Sequence, residues 1–120
     1  MISATFVNIR FASGAEIDSS REIVKVIIEG HSLFDSKGKD IVCSAVSALS
    51  LSVFKAVTVS AEIPQKTEQN NGFLKTEIFT KDLINKAVEF KTLLDVLLIG
   101  LFEIKKIYPD KIEVDFITEN

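Results

Sequence analysis

A chain of 120 residues can close one hydrophobic core and has little left for a second, so residues 1–120 are expected to form a single domain. The 47% apolar content supports a well-buried core. A formal net charge of −3 argues against a nucleic-acid binder, which needs a basic patch or stripe, and Lys105, Lys106 and Lys111 are interleaved with Glu103, Asp110 and Glu113 as on a solvated face.

From the N-terminus, Ile2–Phe11 is rich in β-branched and aromatic residues, and Glu22–Glu29 repeats that character around Val24, Val26 and Ile28. Both read as strands. Ser13 to Ser20 carries turn residues and closes a hairpin with a long tip. Gly30 then stops the second strand, letting the chain turn sharply with His31 at its end. Between Ile41 and Phe54 the apolar residues Val42, Ala45, Val46, Leu49 and Val53 form a helical stripe, with Asp40 in the N-cap position. Val57 to Ile63 alternates strictly and reads as a strand, and Phe73–Phe79 supplies another after the hairpin signal Asn71-Gly72. A second helix is expected from Thr80 or Lys81 to just before Pro109, about 27 residues and about 40 Å. Ile112, Val114 and Phe116 mark a last strand.

The resulting order is ββαββαβ, an α+β two-layer sandwich with two helices on a mainly antiparallel sheet. No internal repeat or low-complexity tract is visible. In the second helix, the apolar residues between Leu93 and Ile104 go nearly all the way round, and a helix apolar on all sides must be buried on all sides. The expected cover is the same helix of a second copy, giving a homodimer; the competing arrangement covers it with the first helix and loops of the same chain. The longest apolar stretch, Val96–Phe102, is far short of a membrane span, so no membrane partner is expected. No secretory signal is visible at the N-terminus, and a single thiol suits a reducing cytoplasm.

The only histidine, His31, precedes the only cysteine, Cys43, by twelve positions. One residue of each type cannot build a Cys/His zinc site or an internal disulfide, and neither a metal nor a cofactor is expected. A nucleophile with its base remains. With Asp40 as N-cap, Cys43 is the third helical residue, where unpaired N–H groups and the helix dipole favour a thiolate and can receive an oxyanion. Ser47, one turn on, projects on the same side. Each residue also has an ordinary structural reading: Cys43 as a small buried hydrophobe, Asp40 as a plain cap, Ser47 as a small helix–sheet contact, His31 as a solvated loop residue.

The segments Gly30-His31-Ser32, Gly38, and Asp40-Ile41-Val42-Cys43-Ser44-Ala45-Val46-Ser47-Ala48-Leu49 resemble the signature Gly-His-Ala…Gly-x-Asp-Ile-Val-Cys-Ala-Ala-Val-Ser-Ala-Leu of the ribosomal-processing cysteine proteases, the Prp family. Leu93–Leu101 and Tyr108-Pro109 are similar to that family's long second helix. Ser32 and Ser44 depart from the family's usual alanines, and neither removes a catalytic group.

The resemblance implies a homodimeric bacterial peptidase that removes an N-terminal extension from the twenty-seventh protein of the large ribosomal subunit, cutting after an aromatic residue. Carried over by position, Cys43 is the nucleophile, His31 the general base and acid, and Asp40, Ser47 and Gly30 are supporting positions. Ser32 to Lys39, hinged at Gly38, would be a cover closing on substrate, with Leu33 and Phe34 as lid or substrate contacts. The competing function is an inactive dimeric module that grips a ribosomal protein or its extension without cutting it.

Overall fold

The computed structural model describes residues 1–30 and 41–120. Its elements are β1 (Ile2–Val7), β2 (Ile9–Phe11), β3 (Ala15–Ile17), β4 (Ile23–Gly30), α1 (Ile41–Val59), β5 (Lys66–Asn70), β6 (Phe73–Phe79), a 3₁₀ turn (Thr80–Leu83), α2 (Ala87–Ile107) and β7 (Ile112–Ile117). Five strands form one sheet in the order β5-β6-β4-β1-β7, antiparallel except for the β1–β7 pair. The α+β class and the predominance of antiparallel pairing follow the sequence reading.

Strand alternation explains why the sheet has a dry and a wet face. The register aligns Leu74, Ile28, Ala4 and Val114 in one row, and Thr76, Val26, Phe6 and Phe116 in the next. These rows carry the buried side chains of β1, β4 and β6, which join the core with the inward residues of both helices. The opposite face carries Lys75, whose ammonium lies 3.3 Å from Glu77 and 3.6 Å from Glu68 and is held above its ordinary pKa by those carboxylates.

The first strand is broken where the sequence reads as continuous. Asn8 takes a positive φ of 62° between β1 and β2, a conformation that asparagine tolerates better than most residues. The expected hairpin tip is itself structured, since β2 and β3 pair in a small second sheet. That hairpin lies on α2: the Ala15 N–H donates to Asp95 Oδ1 at 2.6 Å, and the Phe11 and Phe102 rings are 5.6 Å apart.

Two expected elements are corrected. Val57 to Ile63 is not a strand, because α1 continues to Val59 and the strand forms later, at Lys66–Asn70. Val57 completes the buried stripe of Val42, Cys43, Val46, Ser50, Val53 and Phe54, so burial at helical spacing overrides the β-propensity of Val-Thr-Val. The Gln65 amide holds the crossing in place, donating to Phe54 O and Thr58 Oγ1 while accepting from Thr76 Oγ1.

The second helix also starts later than expected, at Ala87. Thr80 extends the sheet ladder instead, its N–H donating to Glu22 O at 2.9 Å and its hydroxyl to Arg21 O at 2.6 Å, which confines Thr80–Leu83 to a tight turn. Within α2, Phe90, Leu94, Leu97, Leu98 and Leu101 are buried, while Leu93, Phe102 and Ile104 are partly covered. Val96 and Ile99 remain 50% and 54% exposed, so a single chain does not cover the whole helix. Helix α1 is long and apolar enough to cross a membrane by length and composition, yet its inward stripe is built into the protein core.

Candidate active site

The end of β4 is crowded from two sides. Gly30 pairs with Ile2 of β1, and a Cβ at Gly30 would lie 2.9 Å from both Met1 O and Ile2 Cα. On its other flank the Gly30 N–H donates to Gly72 O at 3.0 Å. The need for glycine therefore comes from close packing, since Gly30 does not have a left-handed φ and is still in strand register. The expected sharp turn concerns the residues after it. His31, Ser32, Leu33, Phe34, Gly38, Lys39 and Asp40 all lie outside the described residues, as do the cap and cover assigned to them.

Cys43 is the third residue of α1 (Ile41–Val59), at the end of the helix where the dipole is positive. It is 5% exposed and belongs to the core cluster with Val42 and Val46. Ser47, one turn on, is partly exposed, and Ser50, two turns on, is fully buried on the same inward stripe. A cysteine near a helix N-terminus sits where the dipole favours the thiolate, the form of the side chain that attacks carbonyls. Among the described residues no three His, Cys, Asp or Glu side chains converge as a metal site.

Among the described residues, two surface cavities lie elsewhere. One, of about 250 Å³, is lined by Ile23, Pro64, Gln65 and Phe79, at the end of the sheet opposite Gly30; the other borders Ile17, Leu83 and Ile84. The sequence reading missed Gly72 and Met1 as neighbours of the β4 end. Asn71-Gly72 signals a hairpin, but nothing local says which strand end its tip will touch.

Comparison with known proteins settles the family. The model of the cysteine protease Prp family matches residues 13–113, most of the chain. The chain belongs to the cysteine protease Prp family. Membership makes it an enzyme, a cysteine protease. Solved structures share the fold of this Prp-family chain. SMU.848 from Streptococcus mutans is 26% identical with a TM-score of 0.66, the alignment covering 99% of this chain and 96% of that one. The ribosomal processing protease Prp from S. aureus, solved with a covalently linked product peptide and with a substrate peptide, is 18% identical with TM-scores of 0.69 and 0.70. Both alignments cover 97% of this chain and 99% of the S. aureus chain. Comparison with curated proteins finds no match.

Proposed function

We propose that this chain is the endopeptidase that removes the N-terminal extension of the twenty-seventh protein of the large ribosomal subunit, cutting after an aromatic residue. The observation that carries the reading is the position of Cys43 in the first turn of α1, within a Prp-family match spanning residues 13–113. In support, S. aureus Prp, with which the chain shares its fold, is a ribosomal processing protease solved with peptides. Cys43 is the nucleophile and His31 the general base: His31 accepts the thiol proton, the thiolate adds to the scissile carbonyl, and the tetrahedral oxyanion is stabilised by N–H groups of the first helical turn. The imidazolium then protonates the leaving amine, and water releases the acyl-enzyme. Asp40 caps the helix or orients the imidazole, Ser47 supplies a hydroxyl one turn from the thiol, and Gly30 brings the strand end close to β1.

The enzyme works as a homodimer in the cytoplasm, where a reducing environment keeps its one thiol available. The dimer reading is supported by Val96 and Ile99, about half exposed in the middle of a helix whose inward residues Phe90, Leu94, Leu97, Leu98 and Leu101 are buried.

Incubation with the N-terminal peptide of that ribosomal protein tests the reading. Wild type cleaves after the aromatic residue and Cys43→Ala does not. Tight binding by wild type without cleavage identifies the inactive binding module instead. Iodoacetamide alkylation of the free enzyme adds a second check: activation before substrate arrives requires a Cys43 titration midpoint below about 8.5.

A further inference from the structure

The β5–β6 hairpin touches the strand that leads into the catalytic motif. Asn70 pairs with Phe73, so Asn71 and Gly72 form a two-residue loop. In a hairpin this dipeptide ordinarily gives a type I′ turn, with positive φ at both positions. Here only Gly72 is positive, at φ 81°, which matches the third position of a type II turn. That turn is a poorer fit to strand twist, so a tertiary contact must favour it.

The contact is with Gly30. Gly72 O accepts the Gly30 N–H at 3.0 Å, and a Cβ on Gly72 would lie 2.9 Å from Gly30 O, closer than side chains come in real structures. On its other side Gly30 is pressed against Met1 O and Ile2 Cα, at 2.9 Å from where its own Cβ would be. The strand end is thereby clamped between the N-terminus and the hairpin tip. A methyl group on Gly72 would displace the backbone of Gly30, and one on Gly30 would displace that of Met1 and Ile2.

We propose that Gly72 is a positioning residue for the protease: by clamping Gly30, the residue preceding His31 in the chain, the hairpin tip sets where the catalytic motif leaves the sheet. This rests on the assignment of His31 and Cys43 made above. Gly72 touches no reacting group. Its effect passes through a backbone hydrogen bond and a close contact, and a misplacement of about 1 Å in a catalytic constellation can cost about 100-fold in rate.

The test is Gly72→Ala, compared with Gln69→Ala on the same hairpin. Gly72→Ala lowers kcat on the ribosomal-protein peptide by about 10- to 100-fold with KM little changed. It also moves the pH midpoint of Cys43 alkylation by iodoacetamide, whereas Gln69→Ala leaves kcat and the midpoint at wild-type values. A folded Gly72→Ala enzyme with wild-type kcat and midpoint overturns the proposal. Should that variant not fold, hydrogen exchange on wild type decides: a Gly30 amide exchanging as fast as an open strand end overturns the clamp, and a protected one supports it. If wild type cleaves no peptide, the proposed substrate is wrong, and the alkylation midpoints still decide the role of Gly72.

Discussion

Asn8 ties four parts of the chain together through its side chain and its backbone. Its Nδ2 donates to Ile23 O at 2.8 Å, its Oδ1 accepts from the Glu119 N–H at 2.9 Å, its N–H donates to Ile117 O, and its carbonyl accepts from the Asp18 N–H. All this occurs at a positive φ, in a residue only 5% exposed. Asn8→Ala loses both side-chain bonds and strains the left-handed backbone, at an expected cost of about 3 kcal/mol in denaturant unfolding. Asn8→Gly loses the same bonds without the strain and should cost about 1 kcal/mol less. Equal losses would show that the conformation contributes nothing. Ser50 behaves oppositely: its hydroxyl is fully buried and unpartnered on the Cys43 stripe of α1. Replacing it with alanine removes an uncompensated desolvation, so Ser50→Ala is expected to raise stability by about 1 kcal/mol, read as an increase in Tm.

At the scale of elements, α2 begins without a cap. Lys86 occupies its N-cap position with no side-chain hydrogen bond, and its positive charge meets the positive end of the helix dipole. Lys86→Ser supplies an acceptor for the orphan N–H groups and should stabilise the protein by about 1 kcal/mol in thermal unfolding. A variant no more stable than wild type would show that the preceding 3₁₀ turn already serves that end. At its other end the helix is conventionally finished, with Lys105 and Lys106 in the last turn and the Tyr108 N–H bonded to Ile104 O. The late start is what sequence periodicity could not show, because Thr80 to Leu83 is spaced well enough for a helix and is diverted by hydrogen bonds from Thr80 to Arg21 and Glu22, some 58 residues away in the chain.

For the whole molecule, the decisive surface is the outer side of α2. Val96 and Ile99 are one turn apart and each about half exposed, which suits a helix face shared between two copies. Sedimentation equilibrium at micromolar concentration should find a dimer for wild type and a monomer for Val96→Glu/Ile99→Glu, and a wild-type monomer would remove the homodimer from the proposed function. The run of apolar residues between Leu93 and Ile104 is plain in the sequence, yet which of them one chain covers depends on where the sheet, α1 and the β2–β3 hairpin sit.

What the sequence determined by itself was whatever depends on local spacing: the alternating strands, the helical stripe that places Cys43 near a helix start, and the His31-to-Cys43 motif that resembles its family. Tertiary structure decided where those elements end and which of them meet. Val57 to Val59 became helix because Val57 faces the core at helical spacing, and Gln65 then held the chain until the strand could form at Lys66. Asn8, Gly30 and Gly72 look like ordinary turn residues in one dimension. Their roles come from hydrogen bonds and contacts of about 3 Å between segments distant in sequence, and local propensity carries no record of such neighbours.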